Sequence, residues 1–326
     1  GYGVTDLQRN LPVTERTRFR IGSNTKSMTA FLLATCVDEG VFAWDDRVAD
    51  LWPAFQAPTP ELTAGLRVRD LLGMGTGIAE AETIEFFLSG GADSALDLLR
   101  SIAHLPVIAP PETDYYYNNT LVCAAAYVAL ISKSTALNQL DPAYARLLHE
   151  RLFTPLGMTD SSVDSDPRPT GKDYAVGYTR DLYERISEVP FISINGAAPA
   201  GSGLTSVQDM ARYVIMQMQG GVTQDGARVV SAASLAETHR PGIAVPPDGL
   251  NALPAILLPD TASMFYALGW FEQTFTDGRH LLWHAGGIDG FGSLMGFFPT
   301  DQIGFVLLTN QEPSRGGALF NFSVQA

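Results

Sequence analysis

The chain has 326 residues, 46% of them apolar and 17% charged, with 35 acidic against 21 basic side chains and a net charge of −14. That composition excludes intrinsic disorder, and two cysteines exclude a multiply stapled small domain. So acidic a chain repels phosphate backbones and anionic lipid, which argues against nucleic-acid or membrane partners. No uninterrupted apolar run reaches the roughly 18 residues of a membrane helix. The chain opens on Gly1-Tyr2-Gly3 rather than Met. It is therefore expected to be soluble, either cytoplasmic or with a presequence removed.

In chain order, Phe19–Ile21 reads as a short strand, punctuated by Gly22-Ser23. Met28–Val37 follows as a nearly all-apolar buried helix stopped by Gly40, with Ser23 at or near its N-cap. Prolines 53, 58 and 60 mark a loop before a short amphipathic helix, Val68–Leu72. From about residue 80 to 190 the apolar spacing is mainly helical, at Ala95–Ile102, Leu121–Ser132 and Ala143–Leu152. A polar connector, Asp164–Lys172, precedes a strand signal at Ala175–Tyr178. Ser206 caps a helix running to Met218. Phe265–Thr276, Leu281–His284, Ser293–Phe298 and Ile303–Thr309 then read as consecutive antiparallel strands, with Asp277-Gly278 and Asp301 at turns. This order predicts an α/β (α+β) fold, with an antiparallel sheet flanked by helices and a mainly helical domain inserted. Residues 1–65 and 195–326 would form the discontinuous sheet domain and 66–194 the helical one, with a ligand cleft between them.

Three fragments have chemical potential. Ser23-Asn24-Thr25-Lys26 opens the buried helix, and residues three apart share a helix face, so Lys26 can reach Ser23. Lysine is scarce here (Lys26, Lys133 and Lys172), and an ammonium in an apolar setting loses proton affinity and approaches general-base range. Alone, the motif is better explained by a capping serine and a surface lysine. Tyr115-Tyr116-Tyr117-Asn118-Asn119 precedes another helix and reads either as packing with N-capping or as a functional Tyr-x-Asn. In the latter reading Tyr117, beside a cationic lysine, ionises more easily and serves as a base, while the Asn119 amide binds substrate or holds the lysine. Third, Trp283-His284-Ala285-Gly286-Gly287 lies on a late strand whose glycines suggest close approach of backbone to a ligand. A Ser-His-Asp triad through His284 lacks any G-x-S-x-G elbow. His104, His149, His239 and His280 have no ligand-like spacing, so no metal and no cofactor is expected. Cys36 and Cys123 read as buried free thiols. Asn118-Asn119-Thr120 and Asn321-Phe322-Ser323 spell glycosylation sequons, the first discounted because it falls inside the proposed site.

Taken together, S-x-x-K, Tyr-x-Asn and a strand His-x-Gly in this order resemble the motif set of the serine β-lactamase and penicillin-binding-protein-like hydrolases. The resemblance spans nearly the whole chain. Gly1-Tyr2-Gly3-Val4-Thr5-Asp6 is similar to the family's opening strand, and Phe19-Arg20-Ile21-Gly22-Ser23-Asn24-Thr25-Lys26 to its nucleophile block. Val68-Arg69-Asp70-Leu71-Leu72 with Thr76-Gly77, Pro155-Leu156-Gly157-Met158-Thr159, Pro199–Leu204, Leu268-Gly269-Trp270 and Trp283–Gly287 complete it. His-Ala-Gly in place of Lys-Thr-Gly, and Tyr-x-Asn in place of Ser-Asp-Asn, resemble the class C-related branch of esterases, D-amino-acid peptidases, amide hydrolases and acyltransferases. Losing the Lys-Thr-Gly lysine speaks against strong β-lactamase or DD-carboxypeptidase activity.

The resemblance implies a β-lactamase/transpeptidase-like fold and a serine hydrolase acting on a small-molecule ester or amide. Ser23 is the expected nucleophile, Lys26 and Tyr117 share the proton work, the Ser23 and Gly287 N–H groups form an oxyanion hole beside Gly286, and Asn119 and His284 position substrate and the proton network. Alternatives within this reading are an acyltransferase to a small acceptor and a non-catalytic binding relative. By the family pattern, the ends look trimmed, with Ser314–Ala326 as the start of a terminal helix.

Overall fold

The computed structural model describes residues 1–80, 94–163, 166–168, 173–180, 183, 185–246 and 260–311. Its strands in chain order are β1 (Val4–Asp6), β2 (Leu11–Pro12), β3 (Arg18–Arg20), β4 (Ser162–Val163), β5 (Tyr178–Arg180), β6 (Ile186–Glu188), β7 (Gly203–Ser206), β8 (Ile243–Ala244), β9 (Thr261–Tyr266), β10 (Phe271–Phe275), β11 (His280–Ile288), β12 (Phe291–Phe298) and β13 (Ile303–Thr309). The last six make one antiparallel sheet in the order β13-β12-β11-β10-β9-β8. A three-stranded sheet, β3-β7-β4, lies beside it, and β1-β2 and β5-β6 form separate pairs.

The expected strand Phe265–Thr276 is in fact two strands. Gly269 adopts φ +80°, and a Cβ there would stand 2.7 Å from the Lys26 carbonyl oxygen. Only glycine allows this turn, so β9 ends at Tyr266 and β10 begins at Phe271. Ala175–Tyr178 is likewise shifted, with Tyr174 making a lone bridge to Arg18 and regular pairing starting at Tyr178. The helix expected at Ala143–Leu152 spans Leu140–Leu148 and closes in a π turn, His149–Phe153.

Helix α1, Thr25–Asp38, is buried on almost every side from Thr25 to Cys36. This explains its lack of a polar face: helices Asn119–Ser132, Ala198–Gly201 and Ala232–His239 enclose it. Helix Val207–Met218, capped by the Ser206 hydroxyl accepting from the Asp209 N–H at 3.2 Å, covers β12 and β13. The same core runs continuously from α1 to the sheet, where Phe271 stacks on Trp283 with centroids 4.6 Å apart. Both cysteines are buried and free. Lys133 is paired to Glu39 at 2.7 Å, whereas Lys172 and Ser314–Ala326 lie outside the described residues. Among the described residues no single helix is long and apolar enough to cross a membrane.

Candidate active site

Strand β3 delivers the chain to Ser23. It pairs with β7, Arg20 facing Leu204, and the Ile21 N–H donates to the Gly203 carbonyl at 2.9 Å. The backbone then turns through a 3₁₀ turn, Gly22–Asn24, before α1 begins. Ser23 is thus inside this turn rather than the N-cap itself. Gly22 has φ +48°, and a Cβ there would sit 2.8 Å from the Gly287 nitrogen. Opposite it, a Cβ on Gly286 would meet the Ile21 carbonyl oxygen at 2.0 Å and the Ser23 nitrogen at 2.8 Å. The glycines of β11 therefore let sheet backbone lie directly against the serine turn. Two further links fasten this contact. The buried Asn24 amide donates to Ser293 Oγ at 2.7 Å, and Ser293 donates to the Ile21 carbonyl at 2.7 Å. Beyond Gly287, the Asp289-Gly290 turn (φ +40° and +80°) carries the carboxylate that pairs with the buried Arg20 guanidinium, which also lies 4.5 Å over the Phe191 ring.

Lys26 is fully buried. Its Nζ lies 2.9 Å from Ser23 Oγ, donates to the Ala200 carbonyl at 2.8 Å, and stands 4.7 Å from the centre of the Tyr117 ring. Burial pushes its proton affinity down to about 7, with the charge of Glu80 opposing. The Tyr117 hydroxyl hydrogen-bonds the Ser23 side chain, but burial holds the phenol well above its ordinary range. This direction runs against the easing of Tyr117 ionisation that a lysine beside it would bring. Desolvation outweighs the lowering effect of the Ser23 hydrogen bond, and the Glu80 charge adds to it.

Asn118 and Asn119 divide the helix start between them. Asn118 Oδ1 caps the Leu121 N–H at 2.9 Å while its amide donates to the Ile78 carbonyl at 3.1 Å. Asn118 is 1% exposed, so its sequon presents no accessible acceptor. Asn119 donates its side-chain amide to Glu80 Oε2 at 2.6 Å, so one of its two amide hydrogens is already committed. His284 is also 1% exposed. One ring nitrogen, Nδ1, lies 2.6 Å from the Ala285 carbonyl oxygen and so carries the hydrogen; Nε2 accepts from the Tyr266 hydroxyl at 3.1 Å. Both nitrogens are engaged away from Ser23, so no Ser-His-Asp relay forms. Burial depresses His284 to about 3, keeping the ring neutral. It backs Tyr117 through Tyr266, whose ring meets Tyr117 edge-on at 6.2 Å.

Ser23, Lys26, Tyr117, Gly286 and Gly287 are therefore brought together. Glu80, Ser293, Asp289 and Tyr266 were not foreseen, because nothing in their local sequence distinguishes a carboxylate, a hydroxyl or a ring that meets its partner only across the fold. Among the described residues no cluster of His, Cys, Asp and Glu is arranged to hold a metal ion.

A half-buried serine and a buried lysine thus meet at a helix start, faced by a tyrosine and a glycine strand. The Beta-lactamase family model matches residues 1–323, and the chain belongs to that family. The unguisins hydrolase of Aspergillus violaceofuscus is 28% identical over 95% of this chain and 55% of its own. The chain thus spans about half the length of the curated relatives it matches. Two solved structures share the fold. The octameric penicillin-binding protein homologue from Pyrococcus abyssi gives a TM-score of 0.79 at 23% identity, covering 100% of this chain and 70% of that one. The D-amino acid amidase from Ochrobactrum anthropi SV3 gives 0.73 at 22%, covering 94% and 81%.

Proposed function

We propose that this protein is a serine hydrolase that cleaves an ester or amide bond through a Ser23 acyl-enzyme. The carrying observation is the Lys26 Nζ held 2.9 Å from Ser23 Oγ with its proton affinity lowered to about 7 by burial. An amine so placed is half unprotonated near neutral pH and can take the serine proton as the hydroxyl attacks a carbonyl carbon. Tyr117, kept as a phenol, relays the proton from Lys26 to the leaving group; Lys26 is then the base and Tyr117 the acid. The Ser23 and Gly287 N–H groups receive the oxyanion, a role suited to backbone dipoles that are already in place. Water then attacks the ester at Ser23, and the proton returns by the same pair.

Supporting an amide or ester as the substrate, the similar proteins include a hydrolase and a D-amino acid amidase. We place the site in the cleft between a discontinuous sheet domain, residues 1–65 and 195–326, and a mainly helical one, residues 66–194; the strand β4, inside the latter, pairs with β7 across that division.

The test is intact-protein mass spectrometry after exposure to a fluorophosphonate and to a panel of ester and amide donors. Wild type should gain an adduct at Ser23, and Ser23→Ala should lose both the adduct and turnover. Full activity in Ser23→Ala would sink the mechanism, and no labelling or turnover in wild type would favour a non-catalytic relative. Product analysis with an added alcohol or amine separates hydrolysis from acyl transfer.

A further inference from the structure

We propose that Glu80 is a positioning residue of this site, whose carboxylate clamps the first turn of the helix behind Tyr117 and faces its negative charge toward Lys26. The inference rests on the Ser23 hydrolase reading and deepens it. Glu80 Oε1 accepts from the Asn119 N–H at 2.9 Å, the Thr120 N–H at 3.1 Å and the Thr120 hydroxyl at 3.3 Å, while Oε2 accepts from the Asn119 amide at 2.6 Å. All four partners are donors, so the ionised carboxylate is the form that fits. The first N–H groups of a helix have no partner within it, and the dipole there favours an anion. With Asn118 satisfying Leu121, the N–H groups of residues 119, 120 and 121 are all occupied by side chains. This is more than capping. Tyr117 is two residues upstream on the same stretch, its hydroxyl bonded to Ser23 and its ring under Lys26 Nζ. Fixing Asn119 and Thr120 therefore fixes where the phenol stands.

The charge matters as well. Lys26 Nζ stands 4.7 Å from the centre of the Tyr117 ring and couples electrostatically to Cys123, His284 and Glu80. Burial opposes the charged form of Tyr117, Cys123 and His284, which leaves Glu80 as the anion of the group. Burial holds the Glu80 carboxyl above the ordinary carboxylate value, with its hydrogen bonds and Lys26 pulling the other way. A negative charge here favours the protonated lysine, so it raises the pH at which the amine becomes free.

Two variants separate the clamp from the charge, each checked for folding by near-UV circular dichroism. Glu80→Ala should label Ser23 with fluorophosphonate about tenfold or more slowly at neutral pH, from loss of charge-assisted hydrogen bonds. It should also exchange amide hydrogens faster across residues 115–121. Glu80→Gln keeps the shape and should shift the acid limb of the labelling rate to lower pH, a change that a purely structural cap would not produce. Wild-type labelling rate, limb and exchange in both variants would overturn the proposal. If wild type itself fails to label at Ser23, the hydrolase reading falls, and exchange across residues 115–121 still decides the clamp, unchanged exchange in Glu80→Ala refuting it.

Discussion

The two limbs that meet at Lys26 are held by opposite means. The serine turn, Gly22–Asn24, is locked by steric fit and neutral hydrogen bonds: glycine backbone against glycine backbone, with Ser293 and Asn24 as the fastening. The Tyr117–Asn119 limb is locked by a charge, the Glu80 carboxylate at a helix start. The difference suits the work proposed for each. A nucleophile and its oxyanion donors must hold a fixed distance while the substrate carbon changes geometry, which rigid backbone does best. A proton relay needs tuning, and a charge acts on pKa values at a distance that packing cannot reach.

The largest expected effect comes where the limbs join. Lys26→Met should lower kcat/KM by about a thousandfold, while raising Tm, because a buried amine that gives up proton affinity on folding is a stability cost. The sign follows from the shift. Lys26 falls from 10.5 to about 7 on folding; between those values the unfolded chain holds a proton the folded one lacks, so this group's contribution to stability rises with pH across that window. By the same shift, wild-type kcat/KM should climb through pH 7 and level off above it. A flat profile with an unchanged Tm in Lys26→Met would erase the contrast between the limbs.

Next is the steric lock. Gly286→Ala forces a methyl against the Ile21 carbonyl oxygen at 2.0 Å, and strand β11 must retreat from the serine turn. We expect about 3 kcal/mol of destabilisation by urea unfolding, together with loss of Ser23 labelling. Retained labelling would mean that the turn tolerates slack.

The smallest effect tests the fastening. Ser293→Ala leaves the Asn24 amide and the Ile21 carbonyl without the hydroxyl they share, and should cost about 1–2 kcal/mol in chemical denaturation. The acid limb of the rate profile should not move, since no charge near Lys26 changes. A shifted limb would show that the turn, too, tunes the lysine.

Much of this was legible in residue order. The buried helix, the Ser206 cap and the late meander follow from apolar periodicity and from side chains that cap or turn the backbone locally. Ser23 and Lys26 were legible because residues three apart on a helix must be neighbours. The hairpin at Gly269 was not, since β9 and β10 read as one apolar stretch until the approach of the Lys26 carbonyl demands a left-handed turn. Nor was the desolvation of Tyr117, which pushes its phenol up where a lysine beside it would pull it down.

The sequence by itself thus determined the family, through the motifs it resembles, and the serine–lysine pair and most of the late meander, through fixed spacing and local periodicity. Only the tertiary structure decided how deeply each group of the site is buried and what lies beside it. Burial of Lys26 and His284, partial burial of Tyr117, and the approach of Glu80 to a helix start 39 residues away in sequence, arise from packing of distant segments. Proton affinity depends on what surrounds a group in space, not on its neighbours along the chain.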